Sequence, residues 1–205
     1  MAAEPIADFI DAFALGDGEE LALDISYAYK EWKHSKGSRK DLLTSISSIN
    51  GVYVPSLYNI SYNDDGTIAS VDSSLVPKTV KRRVLKSLED AHIPEKPLIP
   101  LMEPIHDRVM VEIFRGCTQA CRFCQAGTIY RPVRERSKTT IEEYARKIIK
   151  DSGYDEVSLV SLSSADYSHI EELVSKLVKD DPVEAKVSLP SLRIDSFSVE
   201  LARTL

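Results

Sequence analysis

The chain has 205 residues, 43% of them hydrophobic and 28% charged, enough for one large domain or two small ones with a real core. Its net charge of −6 argues against non-specific nucleic-acid binding, while leaving room for a local basic patch. No stretch approaches the roughly 18 consecutive apolar residues of a membrane span, and "MAAEPIADFIDAF" lacks the basic region and apolar run of a signal peptide, so a cytoplasmic protein with no membrane partner is expected.

In chain order, "PIADFIDAFALGDGEE" (5–20) reads as a short amphipathic piece, an apolar strand at Ala12 to Leu15 and a Gly-rich turn. A helix follows, with Leu21, Leu23, Ile25, Tyr27, Ala28 and Trp32 available for packing. "HSKGSRK" breaks it, and a second short helix covers Asp41 to Ile49, stopped by Gly51. "VYVPSLYNISY" and "TIASV" read as two strands around the turn "NDDG". "VPKTVKRRVLKSLEDA" is polar with helical potential, and its "KRR" (81–83) reads as a solvated helix face. Prolines at 94, 97, 100 and 104 then mark an extended linker and a boundary.

Beyond the linker the pattern becomes regular. "RVMVEIF" (108–114) is a strand ending at Gly116. "TTIEEYARKIIKDSG" is an amphipathic helix packing through Ile141, Tyr144, Ala145, Ile148 and Ile149, with Thr139 and Glu142 as a capping box and Gly153 as its stop. "EVSLVSL" (156–162) is a second strand. Ser168 and Glu171 form another capping box for a helix packing through Ile170, Leu173, Val174, Leu177 and Val178. "AKVSLP" (185–190) is a third strand, and "SVELARTL" opens a further helix. Residues 107–205 therefore alternate β and α, which implies a parallel α/β sheet or barrel. Three strands do not close a barrel, so the chain is expected to be a fragment.

All three cysteines fall in "IFRGCTQACRFCQAG" (113–127), spaced Cys-x3-Cys-x2-Cys directly after a strand. Three clustered thiols do not make a disulfide framework. Soft thiolates select zinc, copper(I) or iron–sulfur. A closed structural zinc site takes four protein ligands, whereas here there is no fourth cysteine, and the nearest histidine is His106. Three ligands on a cubane cluster leave one iron open to a substrate or cofactor. The loop falls at the carboxyl end of a strand, where βα folds place their chemistry.

This spacing, with Phe123 just before the third cysteine, resembles the signature of the radical S-adenosylmethionine (radical SAM) enzymes. The longer string "DRVMVEIFRGCTQACRFCQAGTIYRPVRERS" (107–137) resembles members that carry a cobalamin-binding-type N-terminal domain, and "PIADFIDAFALGDGEE" resembles the last strand and turn of that domain. "GVYVPSLY" and "SLPSLRIDSF" extend the likeness along most of the chain. The resemblance implies a remnant of a cobalamin-binding-type Rossmann-like domain over 1–35, a connecting α+β region over 36–104, and the first three βα units of a radical SAM TIM-like barrel over 105–205. It implies a [4Fe–4S] cluster on Cys117, Cys121 and Cys124, with S-adenosylmethionine on the open iron, cleaved reductively to a 5′-deoxyadenosyl radical. Phe123 would lie near the adenine, and Ser161 and Ser163 would hold the methionine end. A reductant such as flavodoxin or ferredoxin is implied. The substrate is not named by the motifs, RNA or a protein being the classes considered. Cobalamin itself is not expected, because the Asp-x-His-x-x-Gly ligand motif is missing and no histidine precedes His34. Position 120 is alanine where related sequences often carry glycine.

Two other readings stand beside this one. A tRNA- or protein-modifying methylthiotransferase shares the Arg-Glu-Arg-Ser stretch, but would carry a second cysteine triplet in residues 1–100, which contain none. A non-catalytic iron–sulfur or zinc module would bind metal without S-adenosylmethionine. "YRPVRERSK" (130–138) reads equally as an anion-binding stretch and as a solvated loop. Arg193 and Asp195 sit after the third strand, where a salt bridge is the expected use, and His34, His92, His106 and His169 share no spacing.

Overall fold

Glycine at position 16 fixes the local path of the amino-terminal half. Its φ is +112°, and a Cβ there would lie 2.0 Å from the Arg83 carbonyl oxygen, so no side chain fits. This close approach lets Arg83 N–H donate to the Leu15 carbonyl (2.8 Å) and Asp17 N–H to the Arg83 carbonyl (3.0 Å). The computed structural model describes residues 3–102, 104–179, 185–196 and 198–204. They fall into two units, residues 1–85 and 86–205.

In the first unit a 3-10 turn at Glu4–Phe9 leads to β1 (Phe13–Ala14), α1 (Gly18–Ser35), α2 (Arg39–Ser47) and β2 (Val52–Tyr53), which pairs antiparallel with β1. Helix α2 begins two residues before the expected start. Ser38 and Asp41 form a full capping box there, each side chain serving the other's backbone N–H. A small core gathers Leu21, Ile46, Val52 and Val54. Of the α1 residues expected to pack, Leu21 is buried, whereas Leu23 and Tyr27 are exposed. The hairpin is present as β3 (Asn59–Tyr62) and β4 (Ile68–Asp72), with Asn59 opposite Asp72.

The helix considered for 76–91 does not form, so "KRR" is not a helix face. Arg83 is instead held by carboxylates and main chain together: it donates to Glu20 (3.1 Å), to Asp24 and to the Asn50 carbonyl (3.2 Å).

In the second unit β5 (Val109–Glu112), β8 (Glu156–Val160) and β9 (Lys186–Ser188) form a parallel sheet in the order β5-β8-β9, as the β–α alternation predicts. Val109 lies opposite Val157, which lies opposite Val187, so the branched residues share one face. The chain reaches β8 through β6 (Phe114–Arg115), α3 (Ala126–Ile129), β7 (Arg134–Glu135) and α4 (Lys138–Ser152), and β9 through α5 (Ile170–Lys179); α6 (Val199–Thr204) follows.

Helix α4 buries Ile141, Tyr144, Ala145, Ile148 and Ile149 and stops at Gly153, both as its spacing predicts. Helix α5 buries Ile170, Leu173, Val174 and Leu177, while Val178, at the edge of the stripe, is exposed. Together with Val111, Leu159 and Leu201 these residues form one core, each large side chain contributing about 1.5–3 kcal/mol.

Both capping boxes expected in this unit are replaced by other contacts. The cap of α4 is Ser137, whose hydroxyl accepts from Thr140 N–H at 3.2 Å, because the helix starts before Thr139. Ser168 does not cap α5: its N–H (3.1 Å) and hydroxyl (3.0 Å) both donate to Glu135 on β7.

Candidate functional site

The cysteine loop is tied at its neck. β6 and β7 pair antiparallel, Phe114 with Glu135 and Arg115 with Arg134, so residues 116–133 leave and return at one point beside the carboxyl end of β5. Gly116 makes the exit. Its φ is +100°, and a Cβ would meet the carbonyls of Tyr130 and Pro132 at 2.9 Å each. The basic stretch forms the other side of the neck. Arg134 is 6% exposed and donates to the carbonyl of Pro132 (3.1 Å); Arg136 is 4% exposed and donates to the carbonyls of Glu112 (3.1 Å) and Leu88. These two arginines hold main chain in place, while Arg131 is exposed.

Within the loop Cys117 and Cys121 are half-buried and Cys124 is exposed, all as free thiols. Among the described residues no group of three or more His, Cys, Asp or Glu side chains is already gathered around a metal position. Cys124 N–H donates to the Cys121 carbonyl at 2.9 Å, and Gln119 N–H points to the Cys117 sulfur at 3.4 Å. Ala120 adopts a left-handed φ of +48°, which glycine takes without steric penalty. Phe123 projects outward at 93% exposure, free to pack on a ligand ring.

Two contacts that sequence reasoning missed anchor the loop to the neighbouring βα unit. The Gln119 amide donates to Asp166 at 2.8 Å, on the 3-10 turn Ser164–Asp166 after β8. The Arg193 guanidinium, in the segment after β9, donates to the Cys121 sulfur at 3.2 Å. The salt bridge expected between Arg193 and Asp195 is present: Nε meets Oδ1 at 3.0 Å and Nη2 meets Oδ2. That pairing holds the Asp195 carboxyl below the usual carboxylate range. Nothing in the spacing of residues 121 and 193 signals their contact.

Three serines follow β8. Ser161 accepts from Ser163 N–H at 3.2 Å and lines a concavity of about 380 Å³ together with Glu112, Arg115, Gly116 and Tyr130. Glu112 and Arg115 pair on its lining through two hydrogen bonds of 2.9 and 2.8 Å. Ser163 is buried, and its hydroxyl has no partner among the described residues. Ser164 pins the ends of two strands together: its hydroxyl lies 2.8 Å from the Pro190 carbonyl and 3.0 Å from that of Leu159.

The donor set suits a soft-metal centre. Three thiols on one short loop, with no fourth cysteine in the chain, match a cluster that keeps one coordination position open. Close by in sequence to Ser161, the buried, unpartnered Ser163 hydroxyl is the kind of group a bound molecule satisfies.

Fold and loop define an α/β protein that presents three thiols at the carboxyl end of a parallel sheet. Residues 111–205 match the family model of the radical SAM superfamily, and residues 1–55 match that of the N-terminal region of radical SAM proteins. The chain belongs to the radical SAM superfamily. It is also 36% identical over 96 residues, 47% of its length, to an uncharacterized protein of Methanocaldococcus jannaschii. That match spans 21% of the relative's own length. Among the described residues no helix is long and apolar enough to cross a membrane.

Proposed function

We propose that Cys117, Cys121 and Cys124 hold a [4Fe–4S] cluster and that this chain is part of a radical enzyme dependent on S-adenosylmethionine. The observation that carries the reading is the three-thiol loop at the carboxyl end of β5, inside the segment that matches the superfamily. When bound, such a cluster supplies the electron that cleaves S-adenosylmethionine reductively to a 5′-deoxyadenosyl radical.

The chain's own residues bind and orient. The β6–β7 ladder and Gly116 fix both ends of the loop, so the three ligands are presented from one anchored segment. The unpartnered Ser163 hydroxyl would offer a hydrogen bond to the amino-acid end of S-adenosylmethionine, with Ser161 lining the concavity after β8. Phe123 offers an exposed ring to the adenine. A flavodoxin or ferredoxin is the class of donor that would supply the electron, and the substrate would reach the site from the mouth of the sheet.

Anaerobic reconstitution tests the reading. The protein should take up about four irons and four sulfides per chain, and the paramagnetic resonance of the reduced cluster should change when S-adenosylmethionine is added. Cys121→Ala should lose that cluster. One zinc per chain and no cluster would overturn the proposal. A stable cluster whose spectrum ignores S-adenosylmethionine would assign the loop to electron transfer or structure.

A further inference from the structure

Arg193 makes two kinds of contact at once. Two of its nitrogens donate to the carboxylate of Asp195, and the third, Nη1, donates to the Cys121 sulfur at 3.2 Å. The fork is therefore aimed by its own neighbour. A bidentate guanidinium–carboxylate pair has little rotational freedom, and the nitrogen left over points in a fixed direction.

The main chain supports this aim from two sides. Ser191 adopts a left-handed φ of +62°, uncommon for serine, which turns the chain just before Arg193. The Ser164 hydroxyl meets the Pro190 carbonyl at 2.8 Å and so fixes the base of the same segment to the end of β8. Both ends of the contact are thus tied to the sheet: Cys121 through the β6–β7 neck, Arg193 through β9 and Ser164.

We propose that Arg193, oriented by Asp195, is a positioning residue for the metal centre, donating a hydrogen bond to the Cys121 sulfur that raises the centre's reduction potential. The inference rests on the cysteine assignment above. Hydrogen bonds to ligand sulfurs are one of the levers that set iron–sulfur potentials. A donor that is also a cation stabilises the reduced, more negative state over the oxidised one, so its loss makes reduction harder. Asp195 moderates the charge and supplies direction, which a lysine at 193 would lack because its ammonium has no fork.

The test uses the whole reconstituted chain. In protein labelled with 15N-arginine, pulsed paramagnetic resonance of the reduced cluster should show a coupling to a guanidinium nitrogen, absent when Arg193 is replaced by Lys. In redox titration Arg193→Gln should have a midpoint lower by about tenfold in the reduced-to-oxidised ratio, which for one electron is about 59 mV. Asp195→Asn, which removes the aim but keeps the guanidinium, should weaken that nitrogen coupling while retaining full iron content. A cluster with four irons but no arginine coupling in the wild-type chain overturns this inference and leaves the cysteine assignment standing. Failure of the wild-type chain to hold any cluster overturns both.

Discussion

Arg134 and Arg136 lie in a stretch whose charge suggests a surface for anions, yet both side chains are buried and donate to main-chain carbonyls. A planar group with five N–H donors satisfies several carbonyls at once where a loop has no ladder to do so. Arg136 is braced in turn: the Tyr167 hydroxyl donates to its carbonyl at 2.8 Å. Burial pushes the Tyr167 hydroxyl up to about 12. The unfolded chain therefore loses that proton first, near the free tyrosine value of about 10. Stability conferred by neutral Tyr167 is present below that pH and is lost as pH rises toward about 12. Denaturant titration across this window should show a shallower alkaline loss in Tyr167→Phe, together with a drop of about 1 kcal/mol at neutral pH from the missing hydrogen bond. An unchanged slope would assign the alkaline sensitivity to other groups. Position 120 shows a different limit: an alanine there looks harmless as a letter, and only the backbone reveals its left-handed φ of +48°.

At the scale of single elements, the start of α4 shows two signals competing. Thr139 with Glu142 has the spacing of a capping box, but Ser137 stands two residues earlier and wins, because Glu89 accepts hydrogen bonds from the Ser137 N–H and from the Thr140 hydroxyl (2.6 Å). The partner that decides the matter is far away in sequence, so no local pattern could announce it. Ser137→Ala should destabilise the chain by about 1 kcal/mol, measured by urea unfolding, while Thr139→Ala should change little. The reverse ranking would return the cap to Thr139. For the same reason the cap expected at Ser168 fails: its spacing to Glu171 suits a cap, but Glu135 on β7 claims both its donors.

Over the whole molecule, what could be read early was what is periodic. The apolar stripes of α4 and α5, the alternation of β and α, and the parallel order β5-β8-β9 all follow from spacing within a few turns of chain. What could not be read was pairing across long separations: Gln119 with Asp166, Arg193 with Cys121, Arg83 with Glu20 and Asp24. The sequence accordingly places the three thiols on one loop, while the groups that contact that loop from the next βα unit leave no trace in it. The core of the second unit contains none of the three cysteines. Replacing all three by serine should therefore leave the far-ultraviolet circular dichroism and the cooperativity of unfolding nearly unchanged, even with all metal removed. Loss of helix in that variant would mean that folding and metal binding are one event.

The short β6–β7 ladder has a consequence for how the protein comes into being. Bringing together the two ends of a loop such as 116–133 carries an entropic penalty that a metal would otherwise have to overcome on binding. Here the ladder has already closed the loop, so a metal centre binding there would have only the smaller task of drawing three side chains inward. If the proposed cluster is bound there, biogenesis would separate into two stages, first a folded receptacle, then delivery of inorganic cargo.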